Sequence, residues 1–245
     1  MTAGARDMTE ESRRRSALVL APHPDDETLG CGGTILLKRS VDTAVTVCIA
    51  TDGRGSGRPG DESPDAIVVR RASETREACR RLGVDDDHVR FLGYRDGELR
   101  RDHEELVDVL RGLVDELAPD DVFVPIAIDW HDDHKVLSAA ARAAVHDLDD
   151  GPRVLAYPVW FWSRRTWIGP VPDETPAQTL MAQLRVLSGL SLRSVDVRGQ
   201  VQAKRVALAA YADELGQFGD RFLERFVVPR ELFFADRGGR HPVAG

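Results

Sequence analysis

The 245-residue sequence predicts an α/β fold in which a mainly parallel sheet carries helices on both faces. Three observations carry that expectation. Short apolar, β-branched runs alternate with amphipathic stretches of helical length, the order that a parallel sheet with crossover helices requires. Two of the apolar runs stop abruptly at clusters of His, Asp and Glu, as buried strands do at their carboxyl ends. The 42% hydrophobic content is enough to bury a sizeable core in one domain.

The elements follow in order. Residues 17–22, Ala-Leu-Val-Leu-Ala-Pro, form the first expected strand. Gly30, Cys31, Gly32 and Gly33 lead into an expected helix over 34–38, and the β-branched run 44–50 reads as the second strand. A helix over 65–82 is bounded by Gly83, a strand spans 89–92, and an amphipathic helix over 104–117 is stopped by Pro119. A strand at 122–126 precedes a helix over 133–148, and strands near 154–159 and at 194–197 extend the sheet. Two stretches break this rhythm, 53–63 and 160–176, each long enough to be a functional loop. Residues 1–15 are highly charged and lack the apolar core of a secretory signal, so a disordered leader is expected before a single domain over 16–236, with a flexible tail at 237–245.

Charge and cysteine usage narrow the class of function. A formal net charge of −8 argues against nucleic acid as a partner and favours a small neutral substrate. Cys31, Cys48 and Cys79 are an odd number without paired spacing, which points to a reducing cytoplasm rather than a disulfide framework. No window approaches the roughly 18 apolar residues of a membrane span.

The chemistry concentrates at the two polar strand ends. His23-Pro24-Asp25-Asp26-Glu27 follows the first strand, where α/β sheets collect their ligands. An imidazole and a carboxylate three residues apart suit a divalent cation, and Asp25 between them is free to act as a base. A lone Asp at such a place is more often a helix cap, but five such residues together are not explained by capping. The fourth strand ends in Asp129, Trp130, His131, Asp132, Asp133 and His134, with His131 and His134 on one face of the following helix. In isolation a histidine pair at a helix start is usually a solvated cap; a second polar cluster on the same sheet reverses that balance. Together the clusters offer His23, Asp26 and His134 as three protein ligands and leave a fourth position to water, the composition of a catalytic zinc site.

Ala-Pro-His-Pro-Asp-Asp-Glu-Thr-Leu-Gly-Cys-Gly-Gly at 21–33, with His-Asp-Asp-His at 131–134, closely resembles the LmbE or PIG-L family of zinc-dependent N-acetylglucosaminyl deacetylases. The resemblance continues through Thr51-Asp52-Gly53, Arg71 with Glu74, Ala78, Leu82 and Gly83, Tyr94-Arg95-Asp96-Gly97 and the segment Lys204 to Tyr211, and so spans about 17–235. It implies a Rossmann-like sheet, one zinc ion held by His23, Asp26 and His134, and removal of an N-acetyl group from an amino sugar conjugate. It further implies that Asp25 is the general base for the attacking water and that a protonated His131 protonates the leaving amine or steadies the oxyanion. Arg71 and Asp96 match substrate-binding positions, and Asp133 a carboxylate that orients a ligand histidine. Oligomers are frequent in the family, so a homo-oligomer is a further implication.

Departures from the family pattern bear on the substrate. Tyr211 is followed by Ala212, Asp213 and Glu214 where relatives often continue with Ser-Gln, and the loop after Gly53 carries Arg54 and Arg58 where relatives are often acidic. A basic loop there suggests an anionic group on the substrate. Trp160, Trp162 and Trp167, beside Arg164 and Arg165, suit either sugar stacking or core filling. The other readings of the chain are an amidase or deacylase acting on a related sugar conjugate and a non-catalytic sugar-binding module.

Overall fold

The computed structural model describes residues 4–56, 62–148, 150–163, 166–167 and 175–236. Arg58, Arg164, Arg165 and the expected tail at 237–245 lie outside the described residues. Among the described residues one eight-stranded sheet organises the fold, in the order β1-β7-β8-β6-β5-β2-β3-β4. The strands are β1 (Arg6–Asp7), β2 (Ala17–Ala21), β3 (Val45–Thr51), β4 (Val89–Tyr94), β5 (Asp121–Pro125), β6 (Arg153–Tyr157), β7 (Leu190–Asp196) and β8 (Arg230–Asp236). The longer helices are α1 (Thr9–Arg13), α2 (Asp26–Arg39), α3 (Pro64–Arg81), α4 (His103–Leu117), α5 (Asp132–Val145), α6 (Pro176–Ser188) and α7 (Val201–Leu208).

The sheet is mixed rather than mainly parallel, which corrects the expected class. β6, β5, β2, β3 and β4 run parallel to one another, but β8 is antiparallel to both β6 and β7. β8 was not legible in the sequence. Its inward residues alternate with half-buried ones, and the partner it needs in register, β7, lies far back in the chain, so no local signal specifies the pairing.

Two apolar layers flank the sheet. Val19, Val47 and Phe123 lie in the layer shared with Ile35 of α2 and Ala78 of α3, whereas Leu18, Leu20 and Val124 lie in the layer shared with Leu110 of α4 and Leu137 of α5. Central strands buried on both faces read as continuous apolar runs, which is why β2 and β5 were legible. Among the described residues no helix is long and apolar enough to cross a membrane.

The N-terminal residues depart from the expected disordered leader. Arg6 and Asp7 pair in parallel with Arg193 and Ser194 of β7, and Met8 is 2% exposed. The buried Lys38 Nζ donates to the Ser12 carbonyl at 2.6 Å and the Arg15 carbonyl at 2.7 Å. Over residues 8–15 one apolar side chain, Met8, two carbonyls and the Arg15 guanidinium, which donates to Asp121, face inward, a pattern too sparse to register as periodicity.

Topology fixes where ligands can gather. From β2 the chain winds outward through β3 to β4, then returns to place β5 on the other side of β2. The crevice beyond the carboxyl ends of β2 and β5 is therefore the switch point of the sheet, and both polar clusters open into it.

Candidate active site and metal-ligand cluster

α2 begins inside the first polar motif, eight residues before the helix expected from sequence, and its glycines explain how. A Cβ on Gly30 would come within 2.2 Å of the Tyr157 ring, and one on Gly33 within 2.8 Å of Val197, so these positions admit neighbours that no side chain could share. Packing overrides the poor helix propensity of glycine here. Asp25 is the N-cap of α2 and adopts φ 111° and ψ −30°, a left-handed backbone that costs a non-glycine residue about 1–3 kcal/mol. Strain of this kind persists only where several contacts hold it.

Asp25 has such contacts. Its N–H donates to Glu27 Oε2 at 3.0 Å, and its Oδ2 accepts from Arg71 Nη2 at 2.9 Å. Arg71 also donates to the Pro24 carbonyl and, through Nη1, to Glu74 Oε2 at 2.8 Å. Burial raises the Asp25 carboxyl to about 8, against the opposing pull of Arg71.

Three imidazoles converge from the two strand ends. Ring centroids lie 4.6 Å apart for His23 and His131, 5.4 Å for His23 and His134, and 5.3 Å for His131 and His134. Candidate ligand atoms of His23, His131 and His134 lie within 4.8 Å of one another, as do those of His23, Asp96 and Asp133. Asp26 Oδ2 stands 3.2 Å from both His23 Nδ1 and His134 Nε2.

The outer nitrogens of two of these histidines are already committed. His134 Nδ1 lies 3.1 Å from Asp129 Oδ2, and His23 Nε2 lies 3.2 Å from both Asp133 Oδ2 and Asp96 Oδ1. An ionised carboxylate only accepts, so Nδ1 of His134 and Nε2 of His23 carry the protons. In the neutral rings His23 Nδ1 and His134 Nε2 then present lone pairs toward the same Asp26 oxygen, an arrangement that requires a positive charge between them. Buried His134 Nε2 makes no hydrogen bond, which agrees. Ligand atoms on one tetrahedral ion stand about 3.3 Å apart, so the 3.2 Å separations fit a divalent metal ion.

Without metal, protons take the place of that charge. Burial opposes ionisation of His134, but Asp26 and Asp129 outweigh it and raise its pKa to about 9. Burial likewise opposes charge on His23, and the carboxylates of Asp133, Asp26 and Asp96 raise it well above the ordinary imidazole value. His131 goes the other way: burial, then the neighbouring His23 and His134, lower it to about 4. That direction favours a neutral ring in the metal-free site, where the resemblance implied a protonated one.

Other expected residues can now be placed. Arg71, expected to bind substrate, is 1% exposed behind Asp25, with its guanidinium engaged by Asp25, Glu74 and Pro24. Asp96 stands beside His23 and accepts the Gly55 N–H at 3.0 Å. Asp133 accepts the Gly97 N–H at 2.7 Å while facing His23, so the loop after β4 fixes its orientation. Arg54 is held by Asp52 through its Nε at 2.6 Å, which leaves little of the expected anion-binding charge at that position.

Of the tryptophans, Trp162 and Trp167 pack edge-on against Phe161, as core filling predicts. Trp160 instead joins Trp130, Phe218 and Phe222 in an aromatic strip, and Trp130 touches His131 with centroids 5.4 Å apart. The roles of Asp129, Glu27 and Tyr211 were missed from sequence. Asp129 was visible in the second cluster, but its service to His134, five residues on, depends on the turn between them.

Known proteins with similar sequences and folds bear on this cluster. Over 150 residues the chain is 33% identical to the probable N-acetyl-alpha-D-glucosaminyl L-malate deacetylase 2 of Bacillus subtilis (strain 168), a stretch covering 58% of this chain and 66% of that protein, just under two thirds of its length. It is 29% identical over 227 residues to the 2'-N-acetylparomamine deacetylase of Streptomyces fradiae, covering 85% and 77% respectively. Its fold matches the N,N'-diacetylchitobiose deacetylase of Pyrococcus horikoshii with a TM-score of 0.66 and 22% identity, over 91% of this chain and 84% of that one. The family model PIG-L, described as GlcNAc-PI de-N-acetylase, matches residues 18–145, more than half of the sequence and the part that carries both polar clusters, and the chain belongs to that family.

Proposed function

We propose that the protein is a zinc-dependent deacetylase that removes the N-acetyl group from an N-acetylglucosamine-type sugar conjugate and releases acetate. The observation that carries this reading is the convergence of the His23 Nδ1 and His134 Nε2 lone pairs on Asp26 Oδ2 beside a buried Asp25. His23, Asp26 and His134 would hold the ion. Zinc held there supplies Lewis-acid polarisation of the amide carbonyl and brings a water molecule's pKa toward neutrality.

The protein's own groups supply the proton transfers and the positioning. Asp25, with its pKa near 8, accepts the proton of the attacking water and is then a carboxylic acid placed to return it to the leaving nitrogen. The water oxygen forms the new bond to the acetyl carbon, the carbon–nitrogen bond breaks, and the amine leaves with the proton from Asp25. Neutral His131 donates a ring N–H to the oxyanion rather than a full positive charge. Asp129 and Asp133 keep the two ligand histidines in the required tautomers.

The relatives' names, which specify glucosaminyl malate and paromamine, support an amino sugar with a further group attached. A deacylase acting on a more apolar conjugate is the second reading, favoured by the aromatic strip from Trp130 to Phe218 beside His131. Three buried free thiols suit a reducing compartment, the cytoplasm.

Acetate release from N-acetylglucosamine conjugates by the purified zinc-loaded protein tests the assignment. Asp25→Asn should retain stoichiometric zinc and lose about 10²- to 10⁴-fold in kcat. A zinc-loaded wild type that releases acetate from no such conjugate would overturn the reading, and an Asn variant as fast as wild type would overturn the base.

A further inference from the structure

The left-handed backbone of Asp25 is held from two sides, and both holds lead to one tyrosine. On one side Arg71 grips the Asp25 carboxylate and the Pro24 carbonyl. On the other, Glu27 Oε2 accepts the Asp25 N–H at 3.0 Å. Glu27 is fully buried, and its Oε1 accepts the hydroxyls of Tyr211 at 2.7 Å and Thr28 at 2.5 Å. Tyr211 is fully buried too, in a turn far along the chain, and the Arg71 guanidinium carbon lies 5.4 Å from the centre of its ring.

A glutamate in the first turn of a helix often caps it, through solvent-facing bonds to free N–H groups. Glu27 differs in three respects. It has no access to water, its second oxygen is occupied by a residue 184 positions away, and the N–H it accepts belongs to the strained residue itself. A buried carboxylate tied down this far from its own helix carries a desolvation cost that capping alone does not require.

We propose that Glu27 and Tyr211 form a positioning pair that keeps Asp25 in its left-handed turn, next to the ligands His23 and Asp26 and against Arg71. Neither residue touches substrate; both act through Asp25. Tyr211 orients the Glu27 carboxylate, Glu27 fixes the Asp25 backbone, and the Asp25 side chain is thereby delivered to Arg71. The late helical region of the chain thus sets the geometry of the N-terminal motif.

The kinetic part of this inference rests on the deacetylase reading, and the structural part does not. Crystal structures of wild type, Glu27→Ala and Tyr211→Phe should show Asp25 near φ 111° in wild type and outside the left-handed region in Glu27→Ala. In Tyr211→Phe, Glu27 Oε2 should no longer accept the Asp25 N–H. In kinetics, Glu27→Ala and Tyr211→Phe should lower kcat about 10²-fold while KM and zinc stoichiometry stay unchanged. Glu27→Gln, whose amide oxygen still accepts that N–H, should recover most of the rate.

Tyr157→Phe is the control, because it deletes an equally buried hydroxyl bonded to the Leu20 carbonyl at 2.8 Å and should lower Tm without lowering kcat. An unchanged Asp25–Glu27 bond in Tyr211→Phe, an unchanged Asp25 backbone in Glu27→Ala, or Tyr211→Phe kinetics equal to the control would each overturn the inference. A wild type that releases no acetate would overturn only the deacetylase reading, and the crystallographic comparison would still decide this one.

Discussion

Arg71 Nη2 donates to Asp25 Oδ2 over 2.9 Å from a guanidinium almost wholly removed from water. The cation stands behind the base, on the side away from solvent. Burial drives the Asp25 carboxyl upward and Arg71 restrains it, so the value near 8 is a balance between the two.

Removing that cation should therefore move the pH profile in a stated direction. Asp25 works as a carboxylate, and Arg71 lowers its pKa; in Arg71→Met the pKa rises and the acidic limb of kcat/KM moves to higher pH. For every pH unit that the limb moves, the rate below it falls about tenfold. Arg71→Lys keeps the charge without the fork and should move the limb less. A raised KM with the limb in place would show instead that Arg71 holds substrate.

Metal uptake should release protons, and the release should depend on pH. His134 titrates near 9 in the metal-free site and His23 is raised as well, so at pH 7 both rings carry a proton where a metal needs a lone pair. Calorimetric titration of zinc into metal-free protein, in buffers of different ionisation enthalpy, reads the number released. At least one proton per zinc is expected at pH 7, with the number falling as pH rises past 9. No buffer dependence at pH 7 would contradict the ligand assignment.

Asp129 should matter for metal affinity without touching metal. Its Oδ2 faces His134 Nδ1 at 3.1 Å and accepts the Trp160 N–H at 3.1 Å, so the ring is fixed to a carboxylate that the segment after β6 also holds. Asp129→Ala should weaken zinc binding about 10- to 100-fold in competition with a chelator. Unchanged affinity would mean that His134 is oriented by its helix alone.

These expectations show which parts of the molecule the sequence declares. His23 to Glu27 and His131 to His134 were legible because each cluster interrupts an apolar run where a strand must end. Contacts between distant segments were not. Nothing local joins Lys204 to Glu231, and Glu27, though part of the first cluster, carries no sign of Tyr211 in its own neighbourhood. The glycines at 30, 32 and 33 were placed ahead of the helix rather than inside it, because nothing local names Tyr157 as the neighbour of Gly30. The mixed sheet escaped for the same reason, since β8 is defined by its partners.

Close packing at Gly30 can be tested directly. A Cβ at position 30 would sit 2.2 Å from a buried tyrosine ring that cannot move without leaving the Leu20 carbonyl. Gly30→Ala gains helix propensity of about 1 kcal/mol and should nevertheless destabilise the protein by about 1–3 kcal/mol through overpacking. Gly112→Ala in α4, where a Cβ meets nothing within 4 Å, should stabilise instead. Thermal melts of the two variants should move in opposite directions, and a rise in Tm for Gly30→Ala would refute the close approach.

At the N-terminus, charge composition and structure disagree, and a truncation separates them. If residues 4–15 were a frayed leader, their removal would leave Tm unchanged. In the structure Lys38 Nζ donates to two of their carbonyls and lies 3.4 Å from Asp121, which also accepts from Arg15 Nε at 2.8 Å. Deleting residues 1–15 would remove both carbonyl acceptors of the Lys38 ammonium, and hydrogen bonds to a charged group are worth about 1.5–3 kcal/mol each. At about 2–4 °C per kcal/mol for a chain of this size, Tm should fall by roughly 6–24 °C. Met8→Ala separates packing from charge: it empties one buried site and should cost about 2–5 kcal/mol while leaving Lys38 its acceptors. Equal melts for wild type and the deletion would return these residues to the status of a leader.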